Sequence, residues 1–206
     1  CMITKRGIIK RTRLDAYANV RKSGLIAIDL DEGDELIAVR ETDGKKNIII
    51  ATHDGMAICF DENDVRPMGR TAVGVRGIKL REGDYVVGAA RAHEGCQVLS
   101  ITEKGYGKRT PVEEYRITGR GGIGIKNYMV TEKTGSVIGI KVVGGEEDLL
   151  LVTQAGILIR THVDTIRSAG RATQGVIVMR FKEEGDQVIA LALTEHEPTE
   201  ETVDEI

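Results

Sequence analysis

Asn47-Ile48-Ile49-Ile50-Ala51-Thr52-His53-Asp54-Gly55-Met56-Ala57-Ile58-Cys59-Phe60 is the stretch that decides the fold. Two runs of β-branched and aliphatic residues, each short for a helix, flank a turn that ends in glycine. Glycine takes a positive φ there without a Cβ clash, so the runs Asn47–Ala51 and Met56–Phe60 are expected to pair as a hairpin. Gly74–Leu80 and Tyr85–Ala89 have the same character. The unit therefore holds four expected strands, and no stretch offers an amphipathic helix with a cap.

The unit recurs. An apolar residue, Thr, two variable residues and Gly occur at Ile3-Thr4 to Gly7, Ala51-Thr52 to Gly55, Ile101-Thr102 to Gly105 and Val152-Thr153 to Gly156, at Gly-to-Gly steps of 48, 50 and 51 residues. Fifteen residues past each glycine stands a basic residue: Lys22, Arg70, Arg120 or Arg171. A second turn recurs as Glu32-Gly33-Asp34, Glu82-Gly83-Asp84 and Glu184-Gly185-Asp186, with Lys133-Thr134-Gly135 in the third unit. This pattern predicts an all-β, propeller-like array of about four four-stranded blades, in repeats 1–46, 47–95, 96–147 and 148–194 of one domain.

Composition agrees. With 206 residues, 41% hydrophobic and 30% charged, the chain has enough apolar material for its own core. Its 25 glycines, 3 prolines and lack of Trp imply many turns around an aliphatic core. No apolar run approaches the roughly 20 residues that span a bilayer, and Cys1–Arg13 has no signal-peptide stretch, so no membrane is expected. Cys1, Cys59 and Cys96 show no C-x-x-C spacing, which argues against a disulfide framework or a zinc site and for a reducing cytoplasm. Cys1 stands without an initiator Met while a strand is already under way, so upstream sequence is expected. The formal charge of −3 is uneven: residues 195–206 carry six acids and no Lys or Arg, leaving 29 basic and 26 acidic groups in residues 1–194. The acidic tail, 195–206, is expected to be disordered.

Catalytic patterns are weak. Gly119 to Gly124 matches G-x-G-x-x-G, but no helix start follows, and the same register returns at Gly69–Gly74 and Gly170–Gly175. His53, His93, His162 and His196 are scattered in the sequence, with no triad-like or metal-like grouping. No catalytic residue, cofactor site or metal site is therefore assigned to this segment.

Basic residues are the stronger signal. Lys10, Arg11, Lys108, Arg109 and Arg160 fall on the second strand of their repeats, and Arg66 with Arg70, Arg116 with Arg120 and Arg167 with Arg171 on the loop beyond; Lys22 holds the equivalent place in the first repeat. Equivalent positions of a ring share one rim, so this set is expected to form a basic band for duplex DNA. No recognition helix, zinc-finger spacing or aromatic platform is visible, so recognition should be of the backbone and tolerant of sequence.

Thr102-Glu103-Lys104-Gly105-Tyr106-Gly107-Lys108-Arg109-Thr110-Pro111, Glu114-Tyr115-Arg116, Gly119-Arg120-Gly121-Gly122, Asp64-Val65-Arg66-Pro67-Met68-Gly69-Arg70-Thr71 and Gly170-Arg171-Ala172-Thr173-Gln174-Gly175 resemble the C-terminal domain of bacterial DNA gyrase A. The resemblance implies a β-pinwheel whose blades exchange strands, here similar to the last four of a ring that commonly has six. It also implies wrapping of duplex DNA in support of negative supercoiling by an ATP-dependent type IIA topoisomerase. Implied partners are the rest of gyrase A, upstream in the same chain, and gyrase B in an A2B2 holoenzyme, with ATP and Mg2+ bound elsewhere. The family's diagnostic box (Gln, basic, Arg, Gly, Gly, basic, Gly) has only a degenerate counterpart at Thr118–Gly124, which leaves the C-terminal domain of the related topoisomerase IV as an alternative. A protein-binding propeller scaffold is the other.

Overall fold

The computed structural model describes residues 1–197. Repeat 1 holds β1 (Met2–Thr4), β2 (Ile8–Lys10) and β3 (Leu36–Val39). Repeat 2 holds β4 (Asn47–Thr52), β5 (Met56–Asp61), β6 (Val75–Arg76) and β7 (Val86–Ala92). Repeat 3 holds β8 (Gln97–Thr102), β9 (Tyr106–Pro111), β10 (Ile125–Lys126) and β11 (Val137–Val143). Repeat 4 holds β12 (Glu147–Thr153), β13 (Leu158–His162), β14 (Val176–Ile177) and β15 (Val188–Glu195). A short 3-10 turn follows each second strand, at Leu14–Tyr17, Glu62–Asp64, Val112–Glu114 and Val163–Thr165.

The sheets run β3-β1-β2-β6, β7-β4-β5-β10, β11-β8-β9-β14 and β15-β12-β13. Each exchanged strand (β6, β10, β14) leaves its own repeat and completes the sheet of the one before. The expected strand Gly74–Leu80 thus contracts to Val75–Arg76, which pairs only with Ile8 and Ile9. Its ends are turned: Gly74 has φ +117°, and the N–H groups of Gly77 and Ile78 leave the ladder for the carbonyl of Gly7. Among the described residues three sheets have four strands, and the fourth, which receives no exchanged strand from a following repeat, has three. Among the described residues no helix is long and apolar enough to cross a membrane.

The recurring motifs have a geometric cause. In each hairpin the turn glycine donates its N–H to the carbonyl of the motif Thr at 2.9–3.1 Å, and the Thr Oγ1 accepts the N–H four residues on at 3.2 Å. The register shifts beside Thr4, Thr52, Thr102 and Thr153, so the motif marks a β-bulge. The aspartate of the second turn clamps the first: Asp34, Asp84 and Asp186 each accept, through Oδ1, the N–H of the residue before the hairpin glycine, at 3.0 Å.

Side chains of a strand alternate between faces, and the apolar runs feed two cores at once. Ile48 and Ile50 pack with Ile3, Ile9 and Phe60 toward the first sheet, whereas Ile49 and Ala51 pack with Val98, Tyr128 and Ile140 toward the third. Leu99 and Ile101 join Leu149, Leu151 and Val163 between the third and fourth. These three cores link four sheets in series; no such cluster joins the fourth sheet to the first among the described residues. β3, β7, β11 and β15 pack in succession and surround an opening of about 370 Å³ lined by Ile37, Val87, Ile138 and Ile189. The exchanged strands lie at the opposite edge of each sheet, away from that axis.

The expected tail boundary also moves. Glu195 is the last residue of β15, opposite Glu147, and His196 and Glu197 make side-chain contacts with the fourth sheet. The rest of the expected acidic tail lies outside the described residues.

Candidate nucleic-acid interface

The loops at 66–74, 116–124 and 167–175 carry the chain from each 3-10 turn to its exchanged strand, and so run along the outer edge. Parallel bridges Arg11 to Pro67, Cys59 to Ile117 and Arg109 to Ser168 seat each loop on the second strand of the preceding repeat. Gly124 has φ +75°, and a Cβ there would meet the Ala57 carbonyl, which explains the glycine of this register without a cofactor.

Two expected surface cations are not at the surface. Lys10 and Lys108 are fully buried. Lys10 donates to the carbonyls of Ala27 (2.7 Å) and Gly69 (3.0 Å), and also to that of Arg70. Lys108 donates to those of Gly170 (2.7 Å), Arg171 and Thr173 (3.2 Å), with its ammonium 4.8 Å from the Tyr128 ring centroid. Desolvation pulls the Lys108 amine down to about 8. Phosphate contact by Lys10 and Lys108 is therefore corrected. Each holds the carbonyls of an arginine-bearing loop and shapes it from beneath; repeats 2 and 4 have Ile58 and Ile159 at this place.

Three more of the expected residues are engaged within the protein. Arg11 donates to the Val65 carbonyl at 2.7 Å and pairs with buried Glu62 at 3.1 Å. Burial alone would raise the Glu62 carboxyl, but bonds from Thr42, the Lys46 N–H and Arg11 hold it below the ordinary carboxylate range. Arg109 repeats the arrangement on the Ile166 carbonyl (2.7 Å) and Asp164 (3.0 Å). Arg160 pairs with Asp148 at 2.7 Å and Glu197 at 2.9 Å.

Arg70, Arg120 and Arg171 share one role. Their Nη1 groups donate to the carbonyls of Ile26 (3.0 Å), Arg76 (3.0 Å) and Lys126 (2.7 Å), each in the preceding repeat. They staple the loops across the blade boundary. Lys22, Arg66, Arg116 and Arg167 are exposed and make no side-chain hydrogen bond or ion pair among the described residues. Sequence reading missed a second tier, Arg76, Lys79, Lys126 and Arg180, which the exchanged segments expose beside these loops. Its signal was available: Arg76 and Lys126 stand 21 residues past their hairpin glycines, and Lys79 and Arg180 stand 24 past.

A family model described as the DNA gyrase C-terminal domain, beta-propeller, matches residues 1–43, 46–93, 97–144 and 147–195, one match per repeat. DNA gyrase A of Staphylococcus aureus (strain MRSA252) is 49% identical over 205 residues, which cover 98% of this chain and 23% of that protein. The chain thus spans about a quarter of the length of the curated relatives it matches. A solved DNA gyrase A C-terminal domain superposes with TM-score 0.83 at 27% identity, over 93% of this chain and 64% of that one. The crystal structure of the C-terminal domain of DNA topoisomerase IV gives TM-score 0.88 at 28% identity, over 94% and 61%.

Proposed function

This chain belongs to the DNA gyrase C-terminal domain family, and on that premise we propose that it binds duplex DNA along its outer edge and bends it around the blades. In that reading it serves negative supercoiling by a gyrase holoenzyme, in which ATP and Mg2+ are used elsewhere and the partners are gyrase B and the remainder of gyrase A. The carrying observation is the recurrence of Arg66, Arg116 and Arg167, exposed and unpaired among the described residues, at 50- and 51-residue steps on equivalent outer loops. Cations spaced by the blade repeat suit a ligand with regularly spaced phosphates, and each phosphate neutralised releases counterions. Bending a site of 20–30 base pairs costs on the order of 1–6 kcal/mol, which several such contacts offset. The 49% identity to gyrase A favours gyrase over topoisomerase IV, which the fold alone does not separate.

The test is duplex binding by fluorescence anisotropy across a salt series. Arg66→Ala, Arg116→Ala and Arg167→Ala combined should weaken binding alike on unrelated sequences and reduce the log–log salt slope by about 0.9 per arginine. An unchanged slope would remove these residues from the interface. Binding with little salt dependence would favour the protein-binding scaffold instead.

A further inference from the structure

We infer that Asp148, His162 and His196 form a site for one divalent transition-metal ion of the zinc class, which fastens the end of β15 to the β12–β13 hairpin. Asp148 lies on the central strand of the last sheet, directly opposite His162 on one side and Thr194 on the other. His196, one residue past the end of β15, brings its side chain to the same point as those of Asp148 and His162. His162 Nδ1 is 3.1 Å and His196 Nδ1 2.8 Å from the same oxygen, Asp148 Oδ1. The two rings lie 4.1 Å apart, tilted by 41°.

The carboxylate is oriented for this. Arg160 Nε donates to the other oxygen, Oδ2, at 2.7 Å, leaving Oδ1 to the imidazoles. Such an outer partner fixes the geometry of a metal ligand. All three ligand atoms lie within 4.8 Å of one another. Tetrahedral zinc, with bonds of about 2.0–2.2 Å, separates its ligand atoms by about 3.3–3.5 Å. Modest ring movements therefore admit the ion. Two imidazoles with one carboxylate select zinc, nickel or copper over the oxygen-seeking calcium and magnesium. Both rings are partly exposed and open into a surface hollow of about 620 Å³ lined by Glu146, Glu147 and Glu195, which gives an acidic approach and room for water as the fourth ligand. Asp148 itself is buried, with Oδ2 taken by Arg160 and Oδ1 facing the two imidazoles. The site does not depend on the DNA reading, and either can fail alone.

The experiment uses the 206-residue chain with Cys1→Ser, which removes a partly exposed free thiol that would compete for the ion. Calorimetry with Zn2+ should give one equivalent bound, and Co2+ should give d–d absorption without a thiolate charge-transfer band. His196→Ala and His162→Gln should each lower Zn2+ affinity at least about tenfold, and Arg160→Gln by about 10–100-fold. Since substitution at His162 touches a strand, the wild-type sequence supplies an independent readout: Zn2+ should shift the imidazole nitrogen resonances of His162 and His196 and leave those of His53 and His93. Absence of saturable binding, binding that survives both histidine substitutions, a thiolate band, or shifts confined to His53 and His93 would each overturn the site.

Discussion

At the scale of single residues, hairpin glycines that look alike in sequence do different work. Gly7, Gly55, Gly105 and Gly156 all have φ between +79° and +84°. A Cβ on Gly55 would stand 2.6 Å from the Tyr128 carbonyl, because the exchanged segment of the next repeat docks there; at Gly156 nothing lies within 4 Å. Gly156→Ala should therefore cost about 1–2 kcal/mol, the left-handed penalty alone. Gly55→Ala should cost clearly more, and equal urea midpoints for the two variants would contradict the docking account. Lys108 offers a second test. Lys108→Met strands carbonyls of the 170–173 loop, at a cost of about 1–3 kcal/mol for each left unsatisfied. The folded amine titrates near 8 and the unfolded one near 10.5, so between these values the unfolded chain holds more protons and stability rises with pH. Cys59, pushed up to about 11 by burial, opposes this above its ordinary value of 9. From about pH 7.5 to about pH 9 the parent protein should gain stability relative to Lys108→Met; parallel profiles in thermal melts would refute it.

At the scale of elements, the three arginines of the G-x-x-x-x-G loops and the three that precede them separate by partner. Arg120 donates to the carbonyls of Asp64 (2.9 Å) and Arg76 (3.0 Å), whereas Arg116 has no such bond. Arg120→Ala should cost about 1–2 kcal/mol of stability, since two charge-assisted bonds to backbone are lost at a partly wetted site. Arg116→Ala should stay within about 0.5 kcal/mol while still weakening duplex binding. Thermal melts and anisotropy on the same two proteins check both halves. The hairpins were legible because a continuous apolar run closed by a positive-φ glycine has few alternatives. The exchanged strands were legible as strands, yet neither their brevity nor their partner was: two ladder residues in a foreign sheet leave no periodicity to read.

At the scale of the molecule, three cores in series place the arginine loops of successive repeats along one edge, and that order gives the proposed bend a direction. Relaxed circular DNA ligated in the presence of the chain should show a shift in linking number if the duplex is wrapped. Binding with no shift would leave an interface without wrapping. The basic set shows how far sequence carried the candidate interface. Its repeat spacing singled out Arg66, Arg116 and Arg167, which the structure leaves exposed on equivalent loops. It also included Lys10 and Lys108, because an ammonium donated to buried carbonyls and one offered to solvent have the same residue and the same period.

What the sequence by itself determined is local and periodic: turns where only glycine fits, strands where apolar residues alternate or run together, and four copies of both, enough to specify an all-β array of blades and the family it resembles. What only the tertiary structure decided is pairing between distant parts. It sent each exchanged strand to the preceding sheet and buried two lysines that sequence had placed on the rim. It also brought His162 and His196, 34 positions apart in the chain, to 4.1 Å across Asp148. The physical reason is that backbone dihedrals and side-chain period are fixed within a few residues, whereas burial and coordination depend on which segments the closing of each blade brings together.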